Sequence, residues 1–168
     1  VQFPKTPSNV PIFVDHKHYV KWVEAQLSQG KMQNERHLWT SVRPNGPVRP
    51  HVLNRLELRI CDLVANTDLL LAITALLELR IINLTNNLKK YDPIEASSKN
   101  QEELALLADE NDLIAAKSSL DANLSHWKDG KKINCRDWIK ELLLDVTPLA
   151  KKLDMFDLLQ PIESVLMN

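Results

Sequence analysis

Between Asn54 and Asp62 polar and apolar positions alternate: Arg55, Glu57 and Arg59 fall on one side of an extended strand, and Leu56, Leu58 and Ile60 on the other. The apolar side suits a core, and the other side carries a row of cation, carboxylate and cation. The same stretch also fits a helix, because Leu53, Leu56, Ile60 and Leu63 recur at helical spacing and only Leu58 leaves the stripe. Even as a strand, such a row is either ionic decoration on a half-solvated face or a site. The residues around it bear on the choice.

Val1 to Ile12 carries Pro4, Pro7 and Pro11 and reads as an extended lead-in. Asp15 is a good N-cap for a helix that runs to about Ser28 on Tyr19, Val20, Trp22, Val23 and Leu27, with Gly30 closing it. His16 and His18, in its first turn, read as surface residues. Leu38–Arg43 and Leu53–Ile60 are candidate strands, and Asn45 to Pro50, with Gly46, Pro47 and Pro50, is excluded from regular structure. Thr67 then caps a long helix with Asp68 in its first turn, where the helix dipole favours an acid. Leucines and isoleucines from Leu69 to Leu84 cover nearly every face of that helix, so it is expected to be buried or covered by a partner, and to brace the strand before it. Glu78 and Arg80 are its exceptions, expected to be satisfied locally. Lys89 to Pro93 ends the helix, and Ser97 to Gln101 is a polar linker. Two helices follow, at about Glu102–Ala108 and Asn111–Leu124, then a turn at Asp129–Lys132 and a helix from Arg136 to Val146. Pro148 begins a continuation through Leu153, and a short helix starts after Pro161. The pattern predicts an α+β fold: a few antiparallel strands, at about 38–43 and 53–60, packed with mostly C-terminal helices.

Composition narrows the function classes. The 168 residues make up one domain's worth of chain, and a net charge of −1 implies no broad basic face for nucleic acid. Three glycines leave no room for a Gly-rich phosphate loop. Cys61 and Cys135 lie far apart with no metal-type spacing, which makes a reduced, cytoplasmic setting the default. The longest apolar run, Leu69 to Leu77, falls short of the roughly 20 residues needed to cross a bilayer. A start at Val1 and an end inside a helical pattern predict a piece of a longer protein. Arg43, Arg49, Arg55 and Arg59 gather around the proline-rich loop. They read equally as loop solubility or pairing, and as an anion site. A carboxylate between two guanidiniums stays ionised and suits a hard divalent cation, and the arginines suit phosphate or carboxylate.

Trp39-Thr40-Ser41-Val42-Arg43-Pro44, a loop, then Arg55-Leu56-Glu57-Leu58-Arg59-Ile60-Cys61-Asp62 and a long apolar helix resemble bacterial glutamate–cysteine ligase, a carboxylate–amine ligase family related to glutamine synthetase. Glu110-Asn111 to Leu120-Asp121-Ala122 resembles the same family's C-terminal helices. The resemblance implies that residues 1–168 are the C-terminal part of a single glutamine-synthetase-like catalytic domain. The activity implied is ATP-dependent joining of the γ-carboxylate of L-glutamate to the amine of L-cysteine, the first step of glutathione synthesis. Residue by residue, it implies that Glu57 is a Mg²⁺ ligand at the ATP phosphates and that Arg59 stabilises the phosphoryl group in transfer. Arg43 and Arg55 would bind substrate carboxylate or phosphate. Lys117 stands where family proteins often carry an arginine, keeping the charge and losing the bidentate fork. With the remaining metal ligands and much of the nucleotide site upstream, these residues alone are expected to bind ATP poorly and show no turnover. Neither a membrane nor nucleic acid is an expected partner. The competing readings are a related ligase with another amine substrate and a non-catalytic helical interaction domain that docks through Leu69–Leu84.

Overall fold

The computed structural model describes residues 10–34, 42–45, 55–58 and 63–167, with 42–45 and 55 through their backbone alone. The chain divides into two compact units, Val1–Leu63 and Val64–Asn168.

In the first unit, α1 spans His16–Ser28, and the Asp15 side chain caps it by accepting a hydrogen bond from the His18 N–H at 2.6 Å. Gly30, at φ +66°, takes the left-handed turn that ends the helix. Tyr19, Val23 and Met32 are buried in a small core with Val10, Phe13, Val20, Trp22 and Leu27 around them. The Phe13 ring lies edge-on to His18, Tyr19 and Trp22, with centroids 5.4, 5.2 and 5.5 Å away. His16 stacks on Tyr19. Both histidines are therefore half-buried against aromatic rings rather than lying on the surface as expected.

The strand reading of the charged stretch holds. β1 (Val42–Asn45) and β2 (Arg55–Leu58) pair antiparallel, with Val42 opposite Leu58, Arg43 opposite Glu57, Pro44 opposite Leu56 and Asn45 opposite Arg55. The predicted strands reach into 38–41, 53–54 and 59–60, which lie outside the described residues. Asn45, expected in the irregular loop, belongs to β1 instead. Pro44 sits inside the strand because a proline is tolerated where no ladder N–H is required. Lacking an N–H, Pro44 cannot exchange both hydrogen bonds with Leu56. By the alternation of antiparallel pairs, Arg43–Glu57 and Asn45–Arg55 are then the hydrogen-bonded ones.

The second unit is mostly helical. α2 spans Thr67–Asn86 and is capped by Asn66, whose side chain accepts from the Leu69 N–H at 2.8 Å, so the cap falls one residue before the predicted Thr67. Only one stripe of α2 is fully buried, namely Ala72, Ala75 and Leu79. Leu70 and Leu71 are 45% and 52% exposed, so of the two expectations, burial or cover by a partner, burial all round is not met among the described residues. Short helices α3 (Leu88–Tyr91) and α4 (Pro93–Ala96) follow.

α5 (Gln101–Ser118) is one helix where two were expected. Nothing between Ala108 and Asn111 breaks it, since exposed Asp109 and Glu110 weaken a helix only slightly. Asn100 and Glu103 close its start with a reciprocal capping box. It ends before Ser119, whose φ of +49° no helix tolerates. Leu124, predicted as helix, instead lies in a hairpin of β3 (Asn123–Ser125) and β4 (Lys132–Asn134), which pair Leu124 with Ile133. Gly130 turns that hairpin at φ +73°, within the predicted turn.

α6 (Cys135–Lys152) runs through Pro148 without stopping there. The proline removes the bond to the Leu144 carbonyl. Leu144 is 72% exposed, so water can take the carbonyl instead. α7 (Gln160–Leu166) carries Pro161 in its first turn, a position that needs no N–H. Arg136, at the start of α6, donates to the carbonyls of Val165 and Leu166 at 3.2 and 3.3 Å and ties down the end of α7.

The core of this unit forms where α2 meets α6 and α7: Ala72, Ala75 and Leu79 pack with Leu143, Val146, Ala150, Leu159, Ile162 and Leu166. Leu79 is fully buried. Leu79→Ala is expected to lower stability by about 2–5 kcal/mol in urea unfolding, from lost transfer energy and the cavity left behind. Leu106→Ala on an exposed face of α5 is expected to change it by less than about 0.5 kcal/mol.

Candidate functional site

Positions 43, 45, 55 and 57 share one face of the β1–β2 ribbon by register and strand period. That face carries Arg43, Asn45, Arg55 and Glu57, and the opposite face Val42, Pro44, Leu56 and Leu58. Of the four predicted site residues, Arg43 and Glu57 are brought directly opposite each other. Hydrogen-bonded pairs of this kind lie about 5.5 Å apart at Cα. Arg55 is two residues from Glu57 on the same strand and pairs with Asn45. Arg59 lies outside the described residues, as do Cys61, Asp62, His37 and His51.

The Glu57 side chain is half-buried, while Leu56 on the opposite face is half-exposed. Glu57 offers one hard oxygen donor, which fits a share in Mg²⁺ ligation. Among the described residues no three His, Cys, Asp or Glu side chains group to hold a metal, so these residues supply at most part of such a site.

The second unit holds a charged cluster that the pattern of the chain does not reveal. Asp145 on α6 accepts from Arg80 Nη1 at 2.5 Å, Asn83 Nδ2 at 3.0 Å, Lys90 Nζ at 3.0 Å and the Tyr91 hydroxyl. The Arg80 guanidinium and Lys90 ammonium also lie 5.0 and 4.6 Å from the centroid of the Tyr91 ring. Arg80 is thus satisfied across 65 positions of sequence, not locally as expected. Its one sequence signal is the shared face of Arg80 and Asn83, at i and i+3 on α2. Burial pushes the Asp145 carboxyl up, but the Tyr91 and Lys90 hydrogen bonds and the charges of Lys90 and Arg80 outweigh it and hold the group below its usual range. Bonds to Tyr91 and Asp145 raise Lys90.

Within the segment that resembles the family's C-terminal helices, Asn111 holds the hairpin: its Oδ1 accepts from Ser125 N–H at 2.7 Å and its Nδ2 donates to Ser125 C=O at 2.8 Å. Lys117 is exposed in the last turn of α5. No helix among the described residues is long and apolar enough to cross a membrane.

A family model described as glutamate–cysteine ligase family 2 matches residues 2–168. The chain belongs to that family. Among curated proteins it is 30% identical over 78 residues to "Putative glutamate--cysteine ligase 2" of Sorangium cellulosum (strain So ce56), a match that takes in 46% of this chain and 19% of that protein.

The Asp145 cluster sets a pH dependence. A carboxyl lowered in the folded state contributes stability that is fully present above the ordinary aspartate pKa of about 4 and is lost as pH falls through the lowered folded value. Asp145→Asn is therefore expected to lower the urea midpoint at pH 7, and the gap to wild type is expected to narrow as the pH drops below about 4. A gap of constant size down to pH 2 would contradict this assignment.

Proposed function

We propose that this chain is the C-terminal part of an ATP-dependent glutamate–cysteine ligase. The observation that carries the reading is the register that sets Arg43 opposite Glu57, in a chain that belongs to this ligase family throughout. In this reading the γ-carboxylate oxygen of L-glutamate attacks the terminal phosphorus of ATP. The bond to the β-phosphate breaks, ADP leaves, and a γ-glutamyl phosphate remains. The amine of L-cysteine then attacks the acyl carbon, the C–N bond forms, phosphate departs and the amine loses a proton.

Such chemistry asks the protein chiefly for positioning and for neutralisation of developing charge. Mg²⁺, when bound, draws charge from the transferring phosphoryl oxygens. Glu57 would give that ion one oxygen, and Arg59 would stabilise the phosphoryl group in flight. Arg43 and Arg55, on the face shared with Glu57, would hold carboxylate or phosphate oxygens. No side-chain nucleophile is needed, because the substrate carboxylate itself attacks. Further metal and nucleotide ligands would come from outside this chain.

In the full-length protein, Glu57→Gln is expected to lower kcat by about 100-fold or more while leaving the thermal midpoint in place, the signature of a lost charge at the reacting phosphate. Arg59→Lys is expected to lower kcat similarly, since the ammonium keeps the charge but not the fork. Measurement is by ATP-dependent γ-glutamylcysteine formation with a parallel thermal melt. Wild-type turnover in Glu57→Gln would instead favour an interaction domain docking through the exposed Leu70 and Leu71. An amine screen on the same protein separates cysteine from other acceptors.

A further inference from the structure

The two rungs of the β1–β2 face differ in charge. Arg43 stands opposite Glu57, a cation position against a carboxylate position, whereas Arg55 stands opposite the uncharged Asn45. Across the ladder, therefore, position 43 meets an acid and position 55 an amide. Residues opposed in this way have Cβ atoms about 4.5–5.5 Å apart, close enough for one ligand head group to meet both. An arginine fork takes a carboxylate bidentately. An asparagine amide carries a carbonyl oxygen that accepts from an ammonium N–H. The Arg55–Asn45 rung thus joins the two chemistries that recognise the carboxylate and ammonium an α-amino acid bears on a single carbon.

The spacing of the rungs selects among amino acids. Positions 55 and 57 are two residues apart on β2, and so about 7 Å apart along the strand. In extended glutamate four C–C bonds of ~1.5 Å part the two carboxylate carbons by about 5 Å, and C–O bonds of ~1.2 Å carry the oxygens further out at each end. Glutamate therefore spans both rungs, whereas cysteine, with a single carboxylate, occupies one at most. We propose that Arg55 and Asn45 receive the α-carboxylate and α-ammonium of L-glutamate, with the γ-carboxylate at the Arg43–Glu57 rung, and that Asn45 sets the preference for a substrate bearing that ammonium. The inference rests on the ligase reading for its substrate. It adds Asn45 to the site and gives the two arginines different tasks.

The test compares L-glutamate, glutarate, which lacks the ammonium, and 4-aminobutyrate, which lacks the α-carboxylate, as substrates of the full-length protein. Asn45→Ala is expected to lower kcat/KM for L-glutamate about 10-fold or more through KM, as for one lost hydrogen bond to a charged group. Its kcat/KM for glutarate and its KM for ATP stay at wild-type values, so the preference for glutamate over glutarate shrinks. Arg55→Lys is expected to weaken glutamate and glutarate together and to spare 4-aminobutyrate. Thermal shift with L-glutamate gives a second readout that needs no turnover, and a melt of the unliganded variants checks the fold. Equal losses for glutamate and glutarate in Asn45→Ala, or an unchanged preference between them, overturns the inference and leaves the ligase reading standing. Glutamate binding that weakens in Asn45→Ala, in a protein that forms no γ-glutamylcysteine, supports the inference and sinks the ligase reading. A wild type that neither turns over nor binds L-glutamate overturns both.

Discussion

The second unit depends on the close approach of α2 and α6. Ala72 and Ala75 on one helix and Ala150 on the other are small enough to let the backbones come near, and Leu79, Leu143 and Val146 fill the space beside them. A larger side chain at an alanine position would have to displace a packed neighbour, because interiors at crystal-like density have no slack to absorb a methylene. Asp145, one residue before Val146, then fixes the rotation of α6 about its axis. It gathers donors from α2 and from α3, so the apolar contact is oriented by a polar one at its edge. α7 completes the layer through Ile162 and Leu166, held by Arg136 against its last carbonyls.

The ribbon of the first unit works by a different constraint. Its register is a backbone property, and a shift of one residue would exchange the charged and apolar faces. Pro44 narrows the choice further, since only one alternation of bonded pairs leaves its missing N–H without consequence. The side chains do not need to find one another by chance: the pairing delivers an arginine position to the glutamate position. Preorganisation of this kind would serve the charge-stabilised group transfer proposed above.

These two cases show what the chain reveals and what it hides. The period-two alternation of Arg55 to Ile60 was readable because both faces repeat it over several residues, and the charged face travelled with it. Asp15 was readable as a cap because its side chain acts within three residues. The β3–β4 hairpin was hidden because its strands are three residues long and Leu124 also fits a helical stripe. The two helices expected at about 102–108 and 111–124 run together as α5 because the exposed Asp109 and Glu110 between them do not interrupt it. Arg80 was assigned a local partner, yet its carboxylate lies in another helix far along the chain, and side-chain pairing at that distance has no periodic signature.

The route of the chain through its second core has a consequence for synthesis. α2 is made early in this unit, but the residues that cover its alanine stripe lie on α6 and α7. While the ribosome is still adding residues 87–138, α2 has no native partner for that stripe. Its leucine-rich surface stays available to chaperones or to neighbouring nascent chains for several seconds, at typical elongation rates of about 5–20 residues per second. Of the described helices α7 emerges after the others and closes this core, and removing it would leave the earlier ones without their lid.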